Sequence, residues 1–239
     1  MTPERSVYDP DRHHRRSVRL SAYDYAAAGA YFVTICTSGR IHAFGEIDGG
    51  VLRPTRRGLI VRQCWEAIPL HRPTVALDAF AVMPNHCHGI VWITHDSAAA
   101  PTVGATLVSP SSARPRGPNS GSLGAIVGAF KAAVSREINK LRPGSGTGIW
   151  QPNYHEHIIR NQRELEAIRY YVLTNPERWD HDAENAVGDK SDEVGVFVQS
   201  LMDARGEEGR HKCRPYDVDL PPGAEIGGVG VRASRRRHA

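Results

Sequence analysis

An α+β fold built on one antiparallel sheet is predicted by three observations on this 239-residue chain. Segments with strand-like and helix-like periodicity follow one another in the order β, α, β, β, α, β, α. Two strands near the middle are separated only by a Pro-Asn turn. Hydrophobic residues make up 40% of the chain, which is enough for one well-buried core with extensions.

The first four elements are recognised from local periodicity. Residues 31–37 are rich in β-branched and aromatic side chains, which favours a strand. Residues 58–69 have apolar positions at helical spacing, and Pro69 is expected to end that helix. Residues 77–83 form the next strand, and residues 87–94 alternate between two largely apolar faces, as a central strand does.

The last three elements complete the order. Ser122 is expected to cap a helix that runs to about residue 142, and residues 155–160 are consistent with a short strand. Asn161 is expected to cap a final helix that ends near Thr174, just before Pro176. The first six elements match the split β-α-β unit of ferredoxin-like folds, a sandwich whose helices lie on one face of an antiparallel sheet.

Three segments lack the periodic apolar residues of a buried core, and they lie before, within and after the predicted domain. Residues 1–20 form a basic arm, and the predicted domain covers residues 21–181. Residues 95–121, rich in Ala, Pro, Ser and Gly, are expected to be a flexible insertion in that domain. Residues 182–239 are charged and Gly-rich, and this tail is expected to be mostly disordered.

Charge and cysteine usage narrow the class of protein. A formal charge of +4 and a pI of about 9.0 fit a polyanionic partner. The four cysteines are widely spaced, which argues against a zinc ribbon or a disulfide framework. No apolar run is long enough to span a membrane, and the Arg-rich N-terminus has no signal core, so a cytoplasmic protein is expected.

Two histidines at the start of the predicted central strand are candidate metal ligands. His86 and His88 are two residues apart, so both imidazoles point to the same face and one cation can take both rings. A His-x-His pair by itself is more often incidental. Its place directly after a Pro-Asn turn puts the pair at an edge of the core, open to a substrate.

The final helix offers a candidate nucleophile. Its predicted buried stripe consists of Leu165, Ile168 and Val172. At about 100° per residue, Tyr171 and Asn175 lie on one flank of that stripe, whereas Tyr170 points nearly opposite. Tyr171 and Asn175 can therefore face one point together. The alternative is that Tyr171 is a packing residue at the edge of the core.

Several motifs resemble a known family. VMPNHCHGIVWI (82–93) resembles the His-hydrophobic-His motif of single-tyrosine HUH transposases, with Cys87 where an aliphatic residue is more usual. GIWQPNYHEHIIRNQRELEAIRYYVLTNPERW (148–179) resembles the second half of the REP-associated tyrosine transposases of the insertion-sequence-200-like group. RRSVRL, YFVTICTSGR and FGEI resemble the N-terminal half of that group, so the resemblance covers roughly residues 15–95 and 121–180.

The resemblance implies a specific chemistry in a HUH endonuclease fold. It implies that His86 and His88 bind a divalent metal, that Asn175 is a third ligand, and that Tyr171 is the nucleophile that forms a 5′-phosphotyrosine. It also implies single-stranded DNA with hairpin ends as the substrate. Ligand preference then favours Mg²⁺ or Mn²⁺. We expect a monomer or homodimer associated with the bacterial nucleoid.

Two other functions remain open. A non-catalytic nucleic-acid-binding protein descended from such an enzyme would have lost a histidine or the tyrosine, and neither is lost. A Zn-dependent hydrolase would use His86 and His88, would want a nearby carboxylate or third imidazole, and would not need Tyr171. His155 and His157 are either polar residues near DNA or an ordinary pair on the sheet surface.

Overall fold

The computed structural model describes residues 23–94, 118–141, 148–185, 187–189 and 191–203. The predicted basic arm, most of the predicted insertion and the tail beyond residue 203 lie outside the described residues.

The described part of the chain contains six strands, five α-helices and two short 3-10 segments. The strands are β1 (Gly29–Cys36), β2 (Gly45–Asp48), β3 (Val51–Pro54), β4 (Val75–Val82), β5 (His86–Ile93) and β6 (His155–Ile159). The α-helices are α1 (Arg56–Glu66), α2 (Ile68–His71), α3 (Leu123–Leu141), α4 (Gln162–Thr174) and α5 (Glu193–Asp203). Short 3-10 segments cover Ser38–Arg40 and Asn175–His181.

Four strands form the main sheet in the order β4-β5-β1-β6, and every neighbouring pair is antiparallel. Helices α1 and α3 connect β1 to β4 and β5 to β6, which gives the split β-α-β arrangement. The predicted α+β, ferredoxin-like fold is therefore confirmed. Strand β5 is a central strand, as its two apolar faces indicate.

One face of the sheet is covered by α1 and α3 and is almost entirely apolar. The indole of Trp65 on α1 stacks on Phe80 with 4.5 Å between ring centroids, and it meets the edge of Phe130 at 5.3 Å. Gly89 on β5 makes this approach possible, because a Cβ at that position would lie 2.3 Å from the Trp65 ring. The helices and sheet are thus packed at close range on this face.

The opposite face is covered by α4 and α5, so the prediction that all helices lie on one face is wrong. Ile90 on β5 is buried there with Leu165 and Ile168 of α4 and Val198 of α5. The physical reason is that both faces of the central strands are apolar, and a second layer is needed to cover the second face.

Two further differences concern the ends of elements. Helix α1 ends at Glu66, and Pro69 lies in the first turn of the separate helix α2, where its missing N–H is tolerated. The chain beyond Asp182, predicted to be mostly disordered, forms α5 within the described residues and buries Val198 and Asp192. Because Val198 packs against the buried stripe of α4 and Asp192 pairs with Arg178, the first part of the tail belongs to the core. No helix in the described ranges combines the length and hydrophobicity needed to cross a membrane.

Candidate metal centre and tyrosine

The two histidines of the His-x-His pair are buried and face each other. Strand β5 is hydrogen-bonded on both sides and directs His86 and His88 to the same face of the sheet. Their Nε2 atoms are 2.9 Å apart, and neither residue is more than 2% exposed. Two imidazole nitrogens at this separation either share a proton or bind one cation together.

The hydrogen bonds of Asn85 determine which nitrogen of His86 carries the proton. The Asn85 side-chain amide donates to the backbone carbonyl of Glu184 at 2.8 Å, which turns its Oδ1 toward His86. That oxygen lies 2.8 Å from Nδ1 of His86 and can only accept a hydrogen bond. Nδ1 is therefore protonated, and the lone pair of His86 is on Nε2, as in metal-binding histidines that have a hydrogen-bonded second nitrogen.

His88 has an equivalent partner on the neighbouring strand. Thr34 is directly opposite His88 in the β1–β5 register, and its hydroxyl lies 2.8 Å from Nδ1 of His88. Burial lowers the pKa of His86 to about 3, and Arg40 acts in the same direction. Burial also lowers the pKa of His88, and the neighbouring His86 lowers it further. Both imidazoles are thus held neutral, which is the protonation state that binds metal.

A carboxylate completes the cluster. Three potential ligand atoms, one each from His86, His88 and Asp182, all lie within 4.8 Å of one another. The Asp182 side chain is fully buried. The 3-10 segment Asn175–His181 turns the chain after α4 and brings Asp182 back to the histidines. Trp179 of that segment packs beside His86, with 6.1 Å between ring centroids.

Asn175 lies next to the carboxylate. Its Nδ2 donates to Asp182 at 2.8 Å, whereas its buried Oδ1 has no hydrogen-bond partner among the described residues. A buried acceptor without a partner is costly unless something else satisfies it. Two imidazole nitrogens and a carboxylate form a donor set that fits a divalent cation, and the unpartnered amide oxygen of Asn175 is a candidate fourth donor. The ligand set predicted from the sequence consists of His86, His88 and Asn175, whereas the structure brings Asp182, the first residue of the predicted tail, beside the two histidines.

Tyr171 lies beside the histidines, and Tyr170 does not. The Tyr171 hydroxyl is 3.5 Å from Nε2 of His88, and its ring packs edge-on against Phe32. The guanidinium of Arg178 is over the ring, 5.1 Å from its centroid, and also donates to the Tyr171 carbonyl. Tyr170 is 59% exposed on the other side of α4, as helix geometry predicts.

The environment of the Tyr171 hydroxyl opposes its ionisation in this state. Burial raises the pKa of Tyr171 well above its ordinary value, and the carboxylates of Asp182 and Asp192 raise it further. Added positive charge is needed to offset this effect before the phenolate can form. A divalent cation among the Asp182 and histidine donors would supply such charge close to the hydroxyl.

A paired charge fixes the orientation of α4. Arg169 donates from Nε to Asp78 on β4 at 2.9 Å, and Trp92 on β5 donates to the same carboxylate at 3.0 Å. Burial alone would raise the pKa of Asp78, but these hydrogen bonds outweigh it and the pKa is lowered. At about 100° per residue, Arg169 and Tyr171 lie on opposite flanks of the buried stripe of α4, so this pair anchors the helix to β4 on the side away from Tyr171.

A cleft of about 620 Å³ opens from this cluster. His88 and Tyr171 line it, together with Arg40, Glu184 and one side of α5. The two histidines of β6 are two residues apart on one strand, so they project from the same face of the sheet, but their surroundings differ. His155 lines the cleft, whereas His157 is buried 3.4 Å from Glu164.

A curated protein is similar to this chain over most of its length. No family model matches the chain. A protein of Haemophilus influenzae described as uncharacterized is 37% identical over 175 residues, which are 73% of this chain and 95% of that protein.

Two solved structures are similar at a lower level. A REP-associated tyrosine transposase bound to a REP hairpin has a TM-score of 0.45 and 17% identity, over 67% of this chain and 73% of that one. A candidate transposase from Deinococcus radiodurans has a TM-score of 0.35 and 16% identity, over 65% and 95% of the two chains. Likeness at these TM-scores indicates neither a family nor an activity.

Proposed function

The chain belongs to the same family as the uncharacterized Haemophilus influenzae protein, and we propose that its function is metal-dependent nicking and joining of single-stranded DNA. The observation that carries the proposal is the position of the Tyr171 hydroxyl, 3.5 Å from Nε2 of His88 at the edge of the donor cluster. A nucleophile next to a cation site is the arrangement that phosphodiester cleavage requires. The resemblance of the histidine and tyrosine motifs to single-tyrosine HUH transposases supports the same activity.

Four side chains would supply the donor atoms for one cation. His86, His88 and Asp182 would hold the cation, and the unpartnered Oδ1 of Asn175 would reach it as a fourth donor. When bound, a divalent ion supplies charge to the non-bridging oxygens of the phosphate and polarises phosphorus. Mg²⁺ and Mn²⁺ suit a phosphate substrate, and the imidazoles favour Mn²⁺ of the two.

Tyr171 attacks the phosphorus of one phosphodiester. The bond from its phenolic oxygen to phosphorus forms while the bond from phosphorus to the 3′ oxygen breaks. The phenolic proton leaves to solvent, and the departing 3′ oxygen takes one up, so a 5′-phosphotyrosine and a free 3′-hydroxyl result. Because the ester bond energy is conserved in the covalent link, a different 3′-hydroxyl can reverse the step and join two strands without ATP.

The proposed substrate is single-stranded DNA that carries hairpin ends. Tyr171 and His88 lie in a cleft beneath α5, and a single strand can bend to bring a phosphate into such a cleft. The net charge of +4 favours a polyanionic partner. We place the protein, as a monomer or homodimer, with the bacterial nucleoid.

A second candidate is a Zn-dependent hydrolase, because the structure supplies the carboxylate that such an enzyme needs. Two histidines and Asp182 leave a position for a metal-bound water in that reaction class. Tyr171 would then be a packing residue, and its hydroxyl would be dispensable. The two candidates therefore differ in one requirement: nicking and joining of DNA needs the Tyr171 hydroxyl, and hydrolysis by a Zn-dependent enzyme does not.

The test is an adduct assay with the full-length chain. Labelled single-stranded hairpin oligonucleotides are incubated with protein and Mn²⁺, and a denaturing gel is examined for a covalent protein–DNA band. We expect Tyr171→Phe to abolish the band while DNA binding persists, and EDTA to abolish it as well. Tyr170→Phe is the matched control, because that ring is exposed on the same helix.

Two outcomes would reject the proposal. Hydrolysis that needs Zn²⁺ and persists in Tyr171→Phe would establish the second candidate. Peptide mapping that finds the DNA on Tyr170 or Tyr154 would refute the assignment of the nucleophile.

A further inference from the structure

Arg40 has an unusual backbone conformation at the mouth of the cleft. It follows β1 in the 3-10 segment Ser38–Arg40, and its φ of 54° lies in the left-handed region. It is the one residue other than glycine with a positive φ in the described ranges. An arginine in this conformation costs free energy, and such residues cluster where function holds them in place.

The backbone of Arg40 is connected to the histidine site. The Asn85 side chain, whose oxygen accepts the hydrogen bond of His86, also directs its amide nitrogen to the Arg40 carbonyl at 3.4 Å. The Arg40 amide donates to the carbonyl of Thr37 at 3.1 Å. The turn therefore has a fixed position relative to the proposed metal ligands.

The Arg40 side chain reaches into the cleft and ends on a carboxylate. It forms an ion pair with Glu184, which also accepts a hydrogen bond from the thiol of Cys36. Arg40 is the only lysine or arginine that lines the cleft in the described part of the chain. The ion pair keeps partial solvent access, since the Arg40 side chain is 40% exposed and that of Glu184 is 23% exposed.

We propose that Arg40 binds a phosphate of the DNA strand in the cleft, and that Glu184 occupies the guanidinium until that phosphate displaces it. This assignment rests on the proposed function and adds a residue that contacts the substrate. The guanidinium fork matches carboxylate and phosphate oxygens in the same way, so one anion can replace the other with little change in geometry.

The exchange requires only a side-chain rotation of Glu184. Its backbone amide donates to Asp182 at 2.6 Å, and its carbonyl accepts from Asn85 at 2.8 Å. Both backbone groups are thus anchored to the metal-site residues, and the carboxylate can leave without moving them. Release of Glu184 from Arg40 also frees it to turn toward solvent, away from an incoming phosphate.

The experiment measures binding and adduct formation for matched variants. Arg40→Gln is expected to weaken binding of the hairpin oligonucleotide about tenfold or more, and to slow adduct formation. Glu184→Gln is expected to tighten binding, because the competing carboxylate is removed. Arg62→Gln on the exposed face of α1 is the control and should bind as the parent does.

A neutral phosphate analogue tests for direct contact. Replacing single phosphates near the cleavage point by methylphosphonates should weaken binding to the parent protein at one position at least, and that loss should disappear in Arg40→Gln. If the parent and Arg40→Gln lost the same affinity at every methylphosphonate position, the assignment of Arg40 would be overturned.

Two further controls separate the role of Arg40 from an effect on folding and from a failure of the proposed function. Arg40→Gly removes the backbone strain, so it should be as thermally stable as the parent yet bind DNA as weakly as Arg40→Gln. If the parent forms no adduct, the proposed function fails and this assignment fails with it. If the parent forms the adduct and Arg40→Gln forms it at the same rate, only the role of Arg40 is refuted.

Discussion

The two faces of the sheet share their strands but bury different kinds of residue. The face covered by α1 and α3, here called the apolar face, has Trp65, Phe80 and Phe130 at its centre. The face covered by α4 and α5, here called the site face, holds His88 and Tyr171 beside its own apolar cluster. Alternate residues of β5 serve these two faces, because successive side chains of a strand point in opposite directions.

This difference explains how the fold remains stable although the site face buries polar groups that lower its stability. Buried polar groups stabilise a fold only when each has a partner, and an unpaired one destabilises it. The site face buries an unpartnered oxygen on Asn175 and two neutral imidazoles in contact. The apolar face contains none of the candidate metal donors, so its contribution to stability does not depend on an ion.

The largest expected effect comes from removing the centre of the apolar face. Trp65→Ala should lower the free energy of unfolding by about 3–5 kcal/mol, because a large cavity forms between α1 and the sheet. Chemical denaturation measures this, and Leu59→Ala, which is exposed on the same helix, is the control. The folded fraction of Trp65→Ala should still form the DNA adduct. Loss of adduct without loss of stability would show that the two faces are not separate in function.

The next effect tests the metal donors. Mn²⁺ at a hundred times its dissociation constant should stabilise the parent by about 2.7 kcal/mol, seen as a rise in melting temperature. Asp182→Asn should lose most of that rise, since a charged ligand is removed. Asp189→Asn, an exposed carboxylate seven residues later, should keep it. An undiminished response in Asp182→Asn would remove this residue from the ligand set.

A smaller effect is expected from the pair that orients α4. Asp78→Asn should cost about 1 kcal/mol of stability, since Arg169 is one-third exposed and solvent screens the charge. The pKa of Asp78 is lowered in the folded state, so its contribution is present above about pH 4 and is lost as the pH falls further. Adduct formation should slow more than DNA binding weakens, because Tyr171 is on the same helix. Equal changes in both would assign the pair a purely structural role.

The smallest effect is expected from the far end of the chain. Removing residues 204–239 should leave cleavage intact and reduce only the salt-sensitive part of DNA affinity, because Arg235, Arg236 and Arg237 add positive charge. Truncation after Asp182 should instead abolish activity, because it removes α5, which covers part of the site face. Cleavage by the variant truncated after Asp182 would contradict the placement of α5 in the core.

The fold could be predicted because its elements carry long, regular patterns. Asn161 was expected to cap the last helix, and α4 begins directly after it, with the Asn161 side chain accepting from the Glu164 amide. Short elements gave no such signal. Strands β2 and β3 have four residues each and are mostly exposed, so neither alternation nor burial marks them. Helix α5 does carry apolar residues at Val194, Val198 and Met202, but Gly195 and its β-branched neighbours concealed the helical spacing.

The site was partly predictable for a related reason. The relation of His86 to His88, and of Tyr171 to Tyr170, depends on one strand and one helix, so periodicity determines it. The position of Asp182 depends on a 3-10 segment that reverses the direction of the chain. No local sequence pattern determines where such a segment places the residue that follows it. The same applies to Arg40, whose left-handed backbone is set by tertiary contacts.

The direction of β5 has a consequence for redesign of the molecule. The strand starts at His86, and the chain enters the segment of residues 95–117 just past its other end, after Thr94. Eight residues at about 3.3 Å each separate the first histidine from that point by roughly 26 Å. Thr94, which is partly exposed, therefore lies at the far end of β5 from the proposed chemistry, and a fluorophore attached at that residue would report on the molecule without reaching the histidines.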